Sequence, residues 1–125
     1  FLMALRLQKI FESIDGMPLT CDLAELIIDK KNPTGGKISL SIDLDQLNDQ
    51  TVVLIDDVMN TGRTQAYGIK FLLRAAIKKL ETAILVDRRH KLFPVSTNYC
   101  GLALSTTLEE HVEVSVDSGK GAFVY

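Results

Sequence analysis

Two neighbouring carboxylates, Asp56 and Asp57, directly follow a run of β-branched and aliphatic residues, TVVLI at 51–55. Val58 follows, then Met59, Asn60, Thr61, Gly62, Arg63 and Thr64. Gly62 allows backbone N–H groups to approach a ligand closely. A helix starting at this turn would add its free N–H groups to the Thr61 and Thr64 hydroxyls, making a cradle for a phosphate monoester. The two acids cannot ligate phosphate. They suit sugar hydroxyls, or positive charge that develops during a reaction. A phosphate seat beside a diol-binding acid pair describes a ribose 5-phosphate. An isolated acid pair would be a solvated turn, and an isolated threonine a helix cap. The order of acids, hydroxyls and glycine between a strand and a helix weakens that simpler account.

The flanking elements must position this segment. TVVLI has the continuous apolar character of a central strand covered on both faces. Ala66, Ile69, Leu73, Ala76, Ile77 and Leu80 recur at helical spacing, predicting a helix over 63–80. A second buried strand is predicted at 82–86. Strand, helix, strand is a βαβ unit, so the fold class is α/β: a parallel sheet with helices on both faces. Ligands of such sheets sit beyond the carboxyl ends of the strands. Further elements are expected as a helix over 1–14, strands over 18–29 and 38–42, and a strand at 112–116 with a short last one at 121–125. The stretch 30–37, KKNPTGGK, reads as a mobile loop, and 87–110 as a long irregular region.

The 125 residues fit one domain, and 46% hydrophobic content supports a core. A formal net charge of −2 excludes polyanion binding through bulk charge. Apolar runs are too short to span a bilayer, and no secretory pattern is visible. Cys21 and Cys100 lie far apart and are expected as free thiols in a reducing cytoplasm; Cys100 is expected as a small buried hydrophobe. The first helix has no capping residue before its first turn, which predicts that residues precede Phe1. A shortened sheet of this size is expected to lean on a partner, as a homodimer or higher homo-oligomer.

Residues 52–64, VVLIDDVMNTGRT, closely resemble the phosphoribosyl pyrophosphate (PRPP) signature of type I phosphoribosyltransferases. ILVDRRHKLFPV at 84–95 and NYCG at 98–101 are similar to the bifunctional pyrimidine-operon attenuation regulators and uracil phosphoribosyltransferases, which carry VDRGHRELP at the corresponding place. The resemblance implies a phosphoribosyltransferase domain over 1–125 that lacks its N-terminal strand and pyrophosphate loop. It implies that Asp56 and Asp57 bind the ribose hydroxyls and are the catalytic acids, and that Met59, Asn60, Thr61, Gly62, Arg63 and Thr64 hold the 5-phosphate. His111 and Val112 would meet the base. Asp117 would lie near a magnesium ion (Mg2+) carried by pyrophosphate. The loop 30–37 would be a flap over the substrate.

By the same resemblance the reaction is transfer of phosphoribose from PRPP to uracil, giving UMP and pyrophosphate. An RNA-binding attenuation regulator, a catalytically silent PRPP or nucleotide sensor, and a purine transferase stay open. Asn60 and Asp87 stand where 6-oxopurine enzymes of the family carry Asp and Lys, which favours a pyrimidine. The basic run Arg88-Arg89-His90-Lys91 has three readings: a solvated loop face, a contact to pyrophosphate or a partner, or a contact to RNA.

Overall fold

The computed structural model describes residues 2–16, 20–105, 107, 109–114 and the backbone of 122–124. Its centre is a parallel sheet of three strands, β3 (Thr51–Met59), β4 (Lys79–Asp87) and β5 (Tyr99–Ala103), in that spatial order. β3 and β4 are joined through helix α2 (Arg63–Leu72), as the βαβ pattern requires. Their register runs from Thr51↔Lys79 to Met59↔Asp87. Two small antiparallel pairs accompany this sheet: β1 (Leu26–Ile27) with β2 (Ser39–Leu40), and β6 (Val112–Val114) with β7 (Ala122–Val124). Helix α1 (Leu2–Glu12) contacts β3.

The core lies between β3, α2 and the β1–β2 pair. Leu47, Leu72 and Ala75 are buried, with Val52, Leu54, Leu26, Leu40 and Phe71 packed around them. Val52 and Leu54 share a face because strand side chains alternate. Helix α2 approaches that face closely at Gly68: a Cβ there would stand 3.2 Å from Leu54 and 3.4 Å from Ile28 and Leu26. Val53, on the alternate face, remains 42% exposed, so β3 is not covered on both sides as its composition suggested.

Several element boundaries differ from expectation. The helix predicted over 63–80 stops at Leu72 because the following backbone finds other partners. Ala76 N–H donates to Asn48 Oδ1 at 2.8 Å, Asp49 N–H to the Ala76 carbonyl at 2.8 Å, and Lys78 N–H to the Gln50 carbonyl at 3.0 Å. The apolar positions Ile77 and Leu80 therefore reach the core from a loop and from β4. Residues 20–25 are not strand, and only Leu26–Ile27 pair; residues 17–19 lie outside the described set.

Strand β5 was hidden inside the region expected to be irregular. Its start is fixed by a side-chain clamp rather than by an apolar pattern. Thr82, 4% exposed, gives its N–H to Asn98 Oδ1 at 2.9 Å, while Asn98 N–H donates to the Thr82 carbonyl at 3.1 Å. Gly101 admits no side chain, since a Cβ would meet the Leu85 carbonyl oxygen at 2.8 Å. Cys100, expected to be buried, is exposed on this strand.

Candidate active site

β3 continues past Ile55 through both acids to Met59, so Asp56 and Asp57 stand within the strand's carboxyl end and not after it. Side chains of a regular strand project to opposite faces. Here the register passes from Asp56↔Ile84 to Val58↔Val86, and each acid turns back onto the next amide. Asp57 N–H donates to Asp56 Oδ1 at 3.0 Å, and Val58 N–H to Asp57 Oδ1 at 2.9 Å. Lys30 reaches Asp56 Oδ1 with its Nζ at 3.5 Å.

The pair is electrostatically unequal. Burial, and then the hydrogen bond to Asp57, raise Asp56 above the ordinary carboxylate range; Lys30 opposes this only in part. Burial also pushes Asp57 upward. The hydrogen bond from Asp56, the Val58 N–H and the Lys30 charge together outweigh that push and hold Asp57 below the usual range. One acid is thus inclined to keep a proton and its neighbour to keep a charge, the arrangement expected of two carboxyls too close to ionise freely together.

The turn after β3 is built as the sequence suggested. Gly62 has φ 82° and ψ 2°, the left-handed conformation that suits glycine, and it caps α2. The Thr61 hydroxyl accepts the Arg63 N–H at 3.3 Å, and the Gly62 carbonyl accepts the Ala66 N–H at 2.9 Å. The first turn of a helix lacks intrahelical acceptors for its N–H groups. Among the described residues, no cap or loop bond engages the N–H of Thr64 or Gln65. The turn is braced from behind: the Thr61 carbonyl accepts the N–H of Leu92 at 2.9 Å and of Phe93 at 3.2 Å. Arg63 lies over the Phe93 ring, 5.8 Å from its centroid, so its side chain belongs to this brace.

The basic run resolves differently from its expectation. Arg88 N–H donates to the Met59 carbonyl at 3.0 Å. Its guanidinium donates to Asn60 Oδ1 at 2.8 Å, to the Thr107 carbonyl at 3.1 Å and to the Glu110 carbonyl. Arg88 is therefore a tie between the turn after β3 and the segment leading to His111, rather than a free cation. Asp87, 8% exposed, accepts the Arg89 N–H at 2.8 Å and pairs with Lys91 at 3.7 Å. His111 is exposed immediately before β6, and Val112 is half-buried in it. β6 contacts β3, and Arg88 links the Glu110 carbonyl, just before this pair, to Asn60. Asp117 lies outside the described residues.

Two residues near the site carried no sequence signal. Lys30 was an ordinary loop lysine until the fold set it against Asp56. Gln65 is 2% exposed, and its Oε1 has no partner among the described residues. No group of three or more His, Cys, Asp or Glu able to hold a metal occurs among the described residues. A divalent ion carried by a substrate would meet one negative centre in this turn, the Asp56–Asp57 pair.

Residues 3–118 match the family model described as phosphoribosyl transferase domain. Among curated relatives, the bifunctional protein PyrR of Caldicellulosiruptor bescii is 32% identical over 123 residues, covering 92% of this chain and 66% of its own length. The PyrR of Bacillus subtilis is 31% identical over 122 residues, covering 92% and 67%. The chain thus spans about two thirds of the length of these relatives. Among solved structures, a hypoxanthine phosphoribosyltransferase from Staphylococcus aureus superposes with a TM-score of 0.60 at 20% identity, over 83% of this chain and 57% of that one. With its acid pair, left-handed glycine cap and parallel sheet, the chain belongs to the phosphoribosyltransferase family.

Proposed function

We propose that this chain carries the PRPP-binding part of a cytoplasmic phosphoribosyltransferase domain that transfers phosphoribose to uracil, forming UMP and pyrophosphate. The observation that carries this reading is the hydrogen-bonded Asp56–Asp57 pair set one short turn before the left-handed Gly62. The 5-phosphate of PRPP would rest on Met59 to Thr64, chiefly on backbone N–H groups and the two threonine hydroxyls. The ribose diol would sit on the two acids. Asp57, whose pKa is lowered, is the more readily ionised acceptor for a hydroxyl, and Asp56, raised chiefly by burial, is the weaker acid of the two.

In the reaction the bond from ribose C1 to pyrophosphate breaks with its electron pair leaving on oxygen. The base nitrogen forms the new bond to C1 and loses its proton to solvent. C1 gains positive charge in between, and the Asp57 carboxylate is fixed in place to stabilise it. Magnesium, when present, would neutralise pyrophosphate and so improve it as a leaving group. His111 and Val112 would cover the base. The pyrimidine preference rests on Asn60 and Asp87, neither of which offers the charge that a 6-oxopurine site uses. A second reading, an RNA-binding pyrimidine-operon regulator, is favoured by the similarity to the PyrR relatives; Arg89 is exposed and could serve it, whereas Arg88 is tied to Asn60 and Lys91 is paired with Asp87.

The test is pyrophosphate release from PRPP with each of uracil, hypoxanthine and guanine, using a chain extended to the length of its relatives. Release with uracil alone supports the proposal. Release with a purine alone moves the specificity. PRPP binding without turnover for any base identifies a sensor.

A further inference from the structure

A cleft of about 310 Å³ lies away from the acid pair, between the loop after β1 and the outer side of α2. One wall is Pro33, Thr34, Gly36 and Ile38; the other is Tyr67, Lys70, Phe71 and Arg74. Tyr67, Lys70 and Phe71 are spaced 3 and 1 on one face of α2, and Arg74 follows in the turn that ends the helix. The loop wall is preformed. Asp29 Oδ1 accepts the N–H of Lys31 at 3.0 Å and of Asn32 at 3.3 Å. Asn32 in turn takes the Gly35 N–H at 3.0 Å on its side chain and the Gly36 N–H at 2.7 Å on its carbonyl. Gly36 cannot carry a side chain here, because a Cβ would meet the Asn32 carbonyl oxygen at 2.5 Å.

The chemistry of the helix wall is specific. Arg74 lies over the Phe71 ring at 5.3 Å, which presents its guanidinium beside an aromatic surface. Tyr67 is half-buried next to it. Among the described residues, neither Lys70 nor Arg74 forms an ion pair. Like charges one turn apart repel each other. A helix C-terminus welcomes cations, but the helix dipole does not require aromatic rings and an internally hydrogen-bonded loop to face them. Two unneutralised cations beside two rings complement a flat group bearing a phosphate. The volume suits a small molecule, at the lower end of the roughly 300–1,000 Å³ typical of such sites.

We propose that this cleft binds a nucleoside monophosphate, its phosphate between Lys70 and Arg74 and its base against Tyr67 and the Arg74–Phe71 stack. The inference does not depend on the reading of the acid pair. It adds a consequence: the loop wall belongs to the segment that carries Lys30 to Asp56, so an occupant is one loop away from the acids.

The experiment is titration of the protein with UMP in the presence of saturating magnesium-PRPP, which occupies the turn at 59–64. Binding that persists, and that weakens about tenfold or more in K70E/R74E with a smaller loss in K70Q/R74Q, is the expected result. Unchanged melting of both variants shows that the loss is local. No residual UMP binding, or residual binding indifferent to both variants, overturns the proposal. So does inorganic phosphate competing as well as UMP, which would make the cleft an anion site only. A single-stranded uridine oligonucleotide binding there far more tightly than UMP would also overturn it, in favour of RNA. Should PRPP fail to bind at all, the turn's role fails while the cleft is still read by the same titration.

Discussion

The ends of β3 and β4 lie side by side, Met59 against Asp87, and both carry acids, yet the chain treats them in opposite ways. After β4, Asp87 is enclosed by the Arg89 N–H and Lys91, and Arg88 is tied to Asn60 and two carbonyls. After β3, Asp57 stays exposed, and a helix start follows with N–H groups that no loop bond engages. Charge at one strand end ties distant segments together; charge at the other is held by the neighbouring amides and Lys30, and on the proposed reading it also faces a substrate. Position on the sheet alone does not distinguish a working group from a structural one. The partner inventory does.

The largest expected effect falls on the open end. D57N should lower kcat/KM for PRPP about 100- to 1,000-fold, the size of losing one preorganised charge at a reacting centre, and D56N/D57N should be at least as damaging. A steady-state pyrophosphate assay reads both. R88A attacks the closed end. It should cost about 1–3 kcal/mol in denaturant unfolding, the range for stranding polar partners, and raise KM more than it lowers kcat. If R88A matched D57N in kcat with no loss of stability, the contrast between the two ends would be gone. G62A tests the hinge between β3 and α2. A Cβ would meet nothing closer than 3.7 Å, so only backbone strain remains, about 1–2 kcal/mol for an L-residue in the left-handed region.

Acid titration sharpens the same contrast within the open end. Asp56 is raised in the folded state, so its contribution favours folding below the ordinary carboxylate pKa and is lost as pH rises through the raised value. Asp57 is lowered, so its contribution is present above the ordinary value and is lost as pH falls through the lowered one. D56N should therefore melt higher than the parent at neutral pH, with the advantage fading on acidification, whereas D57N should melt lower at neutral pH. The smallest effect is expected from K30A. Lys30 is 63% exposed, and an ion pair of that kind contributes under about 1 kcal/mol; its melting shift should shrink further in salt.

The frame of the candidate site was legible because it is local. Asp56 to Thr64 is one uninterrupted segment, and the glycine read as the turn before a helix is the left-handed Gly62 that caps α2. The parallel strands were legible from TVVLI and from the apolar run at 82–86. What escaped depended on distant partners. The end of α2 is set by Asn48 and Gln50, more than twenty residues away, which no periodicity within 63–80 can report. β5 is pinned by Asn98 to Thr82, and its short exposed sequence, interrupted by Gly101 and without β-branched residues, did not look like a strand. Arg88 read as part of a solvated basic run because its acceptors, Asn60 and the carbonyls near 107–110, come from two other segments.

Each acid of the pair is anchored through one oxygen by the amide that follows it, before any sugar arrives. On the proposed reading, a diol need not organise these side chains, and little rotational freedom would be lost when it docks. The second oxygen of each group, outside these two bonds, would be the one it meets. Because an amide oxygen can take the same anchoring N–H, asparagine at either position removes charge while leaving the posture of the pair in place.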